Sequence, residues 1–161
     1  MKNSQIIVNQ RFKTSTQIDA HVAEPSDFID EFIVHGTVLN TLETLSLQIN
    51  NSSQRAYTLT GPYGSGKSTL ALFLSYLLSS TVAERDLASK KLSKINKKII
   101  PRFNIKNGWA IIKHVYGLES PEQSLLNSIS KGFNVNLSKS HISKLDGSQC
   151  LEKIRSIISE D

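Results

Sequence analysis

The residues with the clearest chemical potential form a glycine-rich stretch near the middle of the chain. The stretch reads Gly61-Pro62-Tyr63-Gly64-Ser65-Gly66-Lys67-Ser68-Thr69 and matches the pattern G-x-x-x-x-G-K-[ST] at every fixed position. Glycines at this spacing let successive backbone amides turn inward around a phosphate, because no Cβ atom stands in the way. A random chain of this size would contain the pattern about once in 200 cases. We therefore interpret it as a phosphate-binding loop.

Each part of this loop has an expected role. The turn from Gly61 to Gly66 would surround the phosphates, and Lys67 would reach the β- and γ-phosphates as a point charge, which makes it the candidate catalytic residue. The Ser68 hydroxyl would ligate magnesium, and Thr69 would add a phosphate contact. The chain has no guanine-reading Asn-Lys-x-Asp motif. The expected cofactors are therefore ATP and Mg²⁺.

The elements on either side of the loop favour a strand before it and a helix after it. Residues 55–60 are rich in β-forming side chains, and apolar residues after Lys67 recur at helical spacing. A second strand is predicted over 109–116, apolar on both faces at its start as in the interior of a parallel sheet. Further helices are expected over 38–49, 82–98, 120–133 and from about 147 to 159.

This order of elements predicts an α/β fold, namely a partial three-layer α/β/α core of the P-loop NTPase type with an N-terminal helical lead-in. The lead-in is assigned to residues 1–50 and the core to residues 51–161. Only two strands are recognisable, whereas parallel sheets of this type need four or five. We expect the chain to be the N-terminal piece of a larger ATPase.

Basic residues are concentrated after the loop. The formal net charge is +5, yet the segment from Glu84 to Lys106 contains eight basic and two acidic residues and so contributes +6, which leaves −1 for the remainder. A basic cluster of this kind can attract nucleic acid or an acidic partner, or it can be a solvated helix face. The segment 85–106 is the candidate surface for such a partner.

Other function classes receive little support from the sequence. The single cysteine, Cys150, excludes an internal disulfide, and the four histidines show no metal-ligand spacing. Neither a secretory signal nor a bilayer-spanning apolar stretch is apparent. We therefore expect a cytoplasmic protein with no membrane partner, and an oligomer would be compatible with this sequence.

The carboxylates that hydrolysis requires are missing at their expected place. ATP hydrolysis in this fold normally needs an apolar strand downstream of the loop that ends in an acidic pair. Phe28-Ile29-Asp30-Glu31 has the acids but precedes the loop, and Ser159-Glu160-Asp161 reads as a helix end. Hydrolysis by this chain would therefore depend on acidic residues supplied from elsewhere.

The run from Ala56 through the loop to Leu74 resembles the N-terminal ATPase region of large bacterial AAA-like proteins, several of which are linked to phage defence. The specific match covers about twenty residues, and a looser similarity extends to the predicted strand at 109–116 and the helix after Ser120. The resemblance implies that the helix Val38–Ile49 lies beside the nucleotide. It also implies that the turn His35-Gly36-Thr37 approaches the adenine.

Three functions remain open from the sequence. The first is an ATP-binding module whose nucleotide binding or hydrolysis drives conformational work, on nucleic acid if the basic segment takes part. The second is a non-catalytic, nucleotide-gated interaction domain, which the missing acids would explain. The third is a small-molecule kinase, which is disfavoured because the chain after Thr69 has no arginine-rich lid, only Arg85, Arg102 and Arg155.

Overall fold

The computed structural model describes residues 25–51, 56–103, 108–112, 114 and 120–159. In chain order the elements are α1 (Pro25–Glu31), α2 (Gly36–Asn51), α3 (Lys67–Leu78), α4 (Val82–Ser93), a 3₁₀ helix (Ile100–Phe103), α5 (Pro121–Gly132), α6 (Lys139–Ile142) and α7 (Gly147–Ser159). Residues 1–24 of the predicted lead-in lie outside the described residues, as do positions 55, 113, 115 and 116 of the predicted strands and Lys106 of the basic segment.

The predicted α/β fold, with its three-layer α/β/α core, is wrong. The described part of the chain is helical and contains no sheet; its one β-type pairing is an isolated parallel bridge between Ser79 and Trp109. Residues 56–60 run in non-helical conformation without a ladder partner, and Trp109 is 44% exposed rather than enclosed between layers. A strand needs a neighbouring chain segment for its hydrogen bonds, and side-chain pattern alone does not supply that neighbour.

The predicted helices, in contrast, are present with small changes at their ends. The helix expected over 38–49 extends from Gly36 to Asn51, and the one expected over 82–98 ends at Ser93 before a turn and the 3₁₀ helix. The short helix α6 was not predicted, since four residues carry too little periodicity to be recognised. The described helices include none that combines the length and the apolar character needed to cross a bilayer.

A first hydrophobic core joins α1, α2, α3, α4 and the 3₁₀ helix. The central helix α3 buries Leu72, Phe73 and Leu77 completely, and Leu42 of α2 is equally buried against them. Phe32 stacks on Phe73 with ring centroids 4.2 Å apart and planes 10° apart, an arrangement worth about 1 kcal/mol beyond area burial. This core fixes the helix on whose first turn the glycine-rich loop ends.

A second, smaller core joins α5, α6 and α7. Cys150, Ile154 and Ile157 form the buried stripe of α7, at spacings of four and three residues, and face Leu126 and Ile129 of α5. Between the two cores runs the segment 108–112, in which Ile111 packs against the first core and Ile112 against the second. Burial raises the pKa of the Cys150 thiol, with smaller contributions from Glu122 and Asp146.

Candidate phosphate-binding site

The glycine-rich loop forms a tight, exposed turn between residues 56–60 and α3. Gly64 and Gly66 adopt left-handed backbone angles, with φ of 77° and 80°, which side-chain-bearing residues rarely adopt. The amide of Ser65 donates to the carbonyl oxygen of Pro62 at 3.3 Å and closes the turn. Glycine at these two positions therefore allows the chain to form this turn without backbone strain.

Lys67 bends back over the loop that precedes it. Its ammonium nitrogen lies 2.7 Å from the carbonyl oxygen of Pro62, 2.9 Å from that of Gly61 and 3.3 Å from Oγ of Ser65. Three oxygens of the loop thus hold the Lys67 ammonium group.

The first turn of α3 provides amide donors at the same place. Gly66 is the N-cap residue and has no side chain, so no side-chain oxygen caps the helix, and the first intrahelical bond runs from the Leu70 amide to the Gly66 carbonyl oxygen at 2.8 Å. The amides of Lys67 and Ser68 precede the first intrahelical bond, and the helix dipole adds positive potential there. Loop, lysine and helix end together form a site suited to a phosphate.

The remaining predicted loop residues differ in exposure. Ser68 and Thr69 are half-buried in the first turn of α3, whereas Pro62 and Ser65 are exposed and Tyr63 is fully exposed at the tip. Ser68 makes no hydrogen bond to another described residue, so its hydroxyl is available to a ligand. The structure thus brings all nine predicted site residues into one turn and helix start.

An open cleft of about 440 Å³ lies beside residues 57–59, just before the loop. One wall is the extended segment with Tyr57 and Leu59, and the other is a face of α2. The residues of α2 that line it are Thr37, Asn40, Thr41, Thr44, Leu45 and Gln48. These polar residues were not singled out from the sequence, although polar side chains at spacings of three and four beside the apolar stripe of α2 are a recognisable signal. Thr37, expected near the base, belongs to the cleft.

The far end of α3 is anchored by polar contacts. The Ser79 hydroxyl donates to the Glu84 carboxylate at 2.8 Å, and Arg85 donates to the Ser79 carbonyl oxygen at 2.6 Å. Burial raises the pKa of the nearby Tyr76 hydroxyl, and Glu84 raises it further. These groups fix the end of α3 that lies opposite the loop.

Within the described residues, no group of three or more histidine, cysteine, aspartate or glutamate side chains could hold a metal ion. A magnesium ion at the loop would therefore be held by a nucleotide's phosphates together with Ser68. This arrangement suits Mg²⁺, which commonly binds through one or two protein groups plus substrate phosphates. No protein-family profile, curated protein or solved structure matches this chain, so its function has to be argued from this site.

Proposed function

We propose that this protein binds the phosphates of ATP, with magnesium, at the loop Gly61–Thr69. The observation that carries the proposal is the placement of the Lys67 ammonium, 2.7 to 3.3 Å from three oxygens of the loop that ends at the N-terminus of α3. A cation, a row of helix-start amides and left-handed glycines then converge on one point. This convergence serves an anion and has no packing purpose, since the loop is exposed.

The residues divide the work of binding. Turn amides and the start of α3 would hold the α- and β-phosphates, while Lys67 would exchange its loop oxygens for those of the β- and γ-phosphates. Ser68 would contribute its hydroxyl to the magnesium ion. The cleft between α2 and residues 57–59 would receive the nucleoside, consistent with the AAA-like resemblance that puts this helix beside the nucleotide.

In a wider setting, we propose that the chain acts as the N-terminal part of a cytoplasmic AAA-like ATPase that couples nucleotide binding or hydrolysis to conformational work. The support is the motif and its resemblance, together with the loop geometry described above. Phosphate binding by these groups does not require an α/β core, because the groups come from one turn and one helix.

The test is a magnesium-dependent titration with a fluorescent ATP analogue, with phosphate release followed in the same samples. Replacing Lys67 by alanine removes charge-assisted bonds worth about 2–3 kcal/mol, so the affinity should fall by roughly 30- to 150-fold. The matched control is Lys131→Ala, since Lys131 is exposed on α5 and belongs to the second core's helices. It should bind like the unchanged protein.

Equal binding by the Lys67→Ala and Lys131→Ala proteins would overturn the proposal. So would the absence of binding by a wild-type protein whose far-UV circular dichroism shows the expected helices. If ATP binds, competition by ADP and by GTP would define which phosphates and which base the site requires.

A non-catalytic, nucleotide-gated interaction domain is the second candidate. The observation that favours it is the absence of any aspartate or glutamate between Asp86 and Glu119, where hydrolytic carboxylates would be expected downstream of the loop. ATP binding without phosphate release in the titration above would support this candidate. Phosphate release that disappears in Lys67→Ala would support the ATPase.

A further inference from the structure

Five exposed cations lie close together in the chain between the last turns of α4 and the 3₁₀ helix, and we call this group the basic ridge. Its members are Lys90, Lys94, Lys97, Lys98 and Arg102. All five side chains are exposed, and none of them has an ion pair or a side-chain hydrogen bond within the described part of the chain. Two other basic residues of α4 are turned inward instead, since Arg85 donates to the Ser79 carbonyl oxygen and Lys91 to that of Asp30.

Hydrogen bonds and buried side chains hold the backbone that carries the basic ridge. Lys90 and Lys94 are four residues apart and therefore neighbours on one side of α4. The turn that follows is fixed by Asn96, whose amide nitrogen donates to the Glu43 carboxylate at 2.9 Å and whose side-chain oxygen accepts from the Lys98 amide at 3.0 Å. Buried Ile99 and Phe103 anchor the 3₁₀ helix that carries Arg102. Little backbone ordering is then needed for the cations to act together.

No carboxylate in the sequence neutralises this stretch from within. The 32 residues from Leu87 to Leu118 contain eight lysines and arginines and no aspartate or glutamate. Asp86 lies one turn before Lys90, and the Glu43 carboxylate accepts a hydrogen bond from Asn96. Stabilisation of the α4 dipole accounts for lysines in the last turn of that helix. It does not account for Lys97, Lys98 and Arg102, which lie beyond the helix.

We propose that the basic ridge binds the phosphate backbone of a nucleic acid. A row of unpaired, exposed cations on a rigid support matches a polyanion with regularly spaced charges, which releases counterions when such cations bind it. An anionic membrane fits less well, because interfacial helices need an apolar face beside their cations. Ala88 and Leu92 of α4 are buried. The exposed apolar side chains of this region, Val82 and Leu87 of α4 and Ile95 after it, do not follow the three- and four-residue spacing of one helix face.

The ridge would bind without regard to base sequence. Its five members are four lysines and one arginine. Lysines contact phosphates as point charges and do not read base edges. Binding should therefore be similar for unrelated sequences and should fall steeply as the salt concentration rises.

The experiment measures fluorescence anisotropy of a labelled 20-nucleotide single strand and of the corresponding duplex, between 25 and 200 mM salt. The ridge variant is Lys90→Gln/Lys94→Gln/Lys98→Gln. The control is Lys131→Gln/Lys139→Gln/Lys144→Gln, which changes the net charge equally at three exposed lysines on or next to α5 and α6. Three lost phosphate contacts should lower the salt slope for the duplex by about 2.7 and weaken binding more than tenfold at 50 mM salt. The control should stay within threefold of the unchanged protein.

Two results would overturn the proposal. One is an equal loss of nucleic-acid binding in both triple variants, which would show that binding depends on net charge and not on a defined surface. The other is no binding to either nucleic acid at 25 mM salt by the folded wild-type protein, whether or not it binds phosphatidylserine vesicles. The Lys67→Ala protein separates this proposal from the nucleotide site, because it should retain nucleic-acid binding.

Discussion

Gly108 lies where two backbone segments come too close for any side chain. Its φ is 80°, and a Cβ atom there would collide with the carbonyl oxygen of Ser79 and with Cα of Ser80, and would lie 2.6 Å from Nη1 of Arg85. The same close approach allows the Trp109 amide to donate to the Leu78 carbonyl oxygen at 2.7 Å. At the residue scale, this glycine joins the end of α3 to the segment that leads to the second core.

We expect Gly108→Ala to lower the free energy of unfolding by at least about 3 kcal/mol, from left-handed strain of about 1–2 kcal/mol plus the backbone collision. The control is Gly64→Ala, because Gly64 has a φ of 77° but nothing within 4 Å of the added methyl group. That variant should lose only the strain contribution. Urea unfolding followed by circular dichroism measures both, and equal losses would mean that the close approach at Gly108 does not exist in solution.

The site residues were accessible to sequence analysis to very different degrees. The turn at Gly61–Gly66 and the helix that starts at Lys67 could be anticipated because both are local structures, which the local spacing of glycine, lysine and serine specifies. The resemblance implied that α2 lies beside a nucleotide, but the polar residues that line the cleft were not singled out, because the cleft depends on how residues 57–59 lie against that helix. Such tertiary placement leaves no local trace beyond a polar helix face, which is normally interpreted as solvent-exposed.

At the scale of elements, α5 shows how a sequence signal can be right in part. The sequence Ser120-Pro121-Glu122-Gln123 has the pattern of a capping box, with a cap residue followed three positions later by glutamine. Ser120 does cap the helix, its hydroxyl accepting from the Gln123 amide at 3.3 Å. The Gln123 side chain, however, does not complete a capping box. Its amide nitrogen donates to the carbonyl oxygen of Leu145 at 2.9 Å, which ties α5 to the connection between α6 and α7. Gln123 therefore joins elements rather than closing a helix end.

Gln123→Glu distinguishes these two roles. A glutamate serves a capping box as well as a glutamine does, but it has no N–H to donate and would put a carboxylate against a partly buried carbonyl oxygen. We therefore expect a loss of about 1–3 kcal/mol in the free energy of unfolding, measured in urea. Unchanged or increased stability would show that the side chain acts as a cap.

The helices could be predicted and the sheet could not, for a physical reason visible in individual elements. Leu42 and Leu45 of α2 lie on the buried stripe that their spacing indicates. A helix forms its backbone hydrogen bonds within itself, so one apolar face is enough to pack it against a core. Residues 56–60 and 109–112 have the composition of strands, yet a strand's hydrogen bonds come from a neighbour that composition does not specify. Both segments pack side chains on a core without forming a ladder.

At the scale of the whole molecule, the described residues contain two cores joined by the segment 108–112. Helices α1 to α4 build the first and α5 to α7 the second, and Gly132 of α5 is in close contact with Ile112 of the joining segment. The second core comprises only about forty residues, a size at which helices alone are marginally stable. The glycine-rich loop and the basic ridge both belong to the part of the chain that builds the first core.

Leu126→Ala should therefore loosen the second core selectively. Leu126 is fully buried there, and its truncation removes about 2–5 kcal/mol, which is comparable to the stability such a small unit can have. Hydrogen exchange read by mass spectrometry should show lost protection in α5 and α7 and retained protection in α2 and α3. Leu77→Ala, an equally buried site in the first core, should expose α2 and α3 instead. If either substitution removes protection from all helices together, the two cores unfold as one cooperative unit.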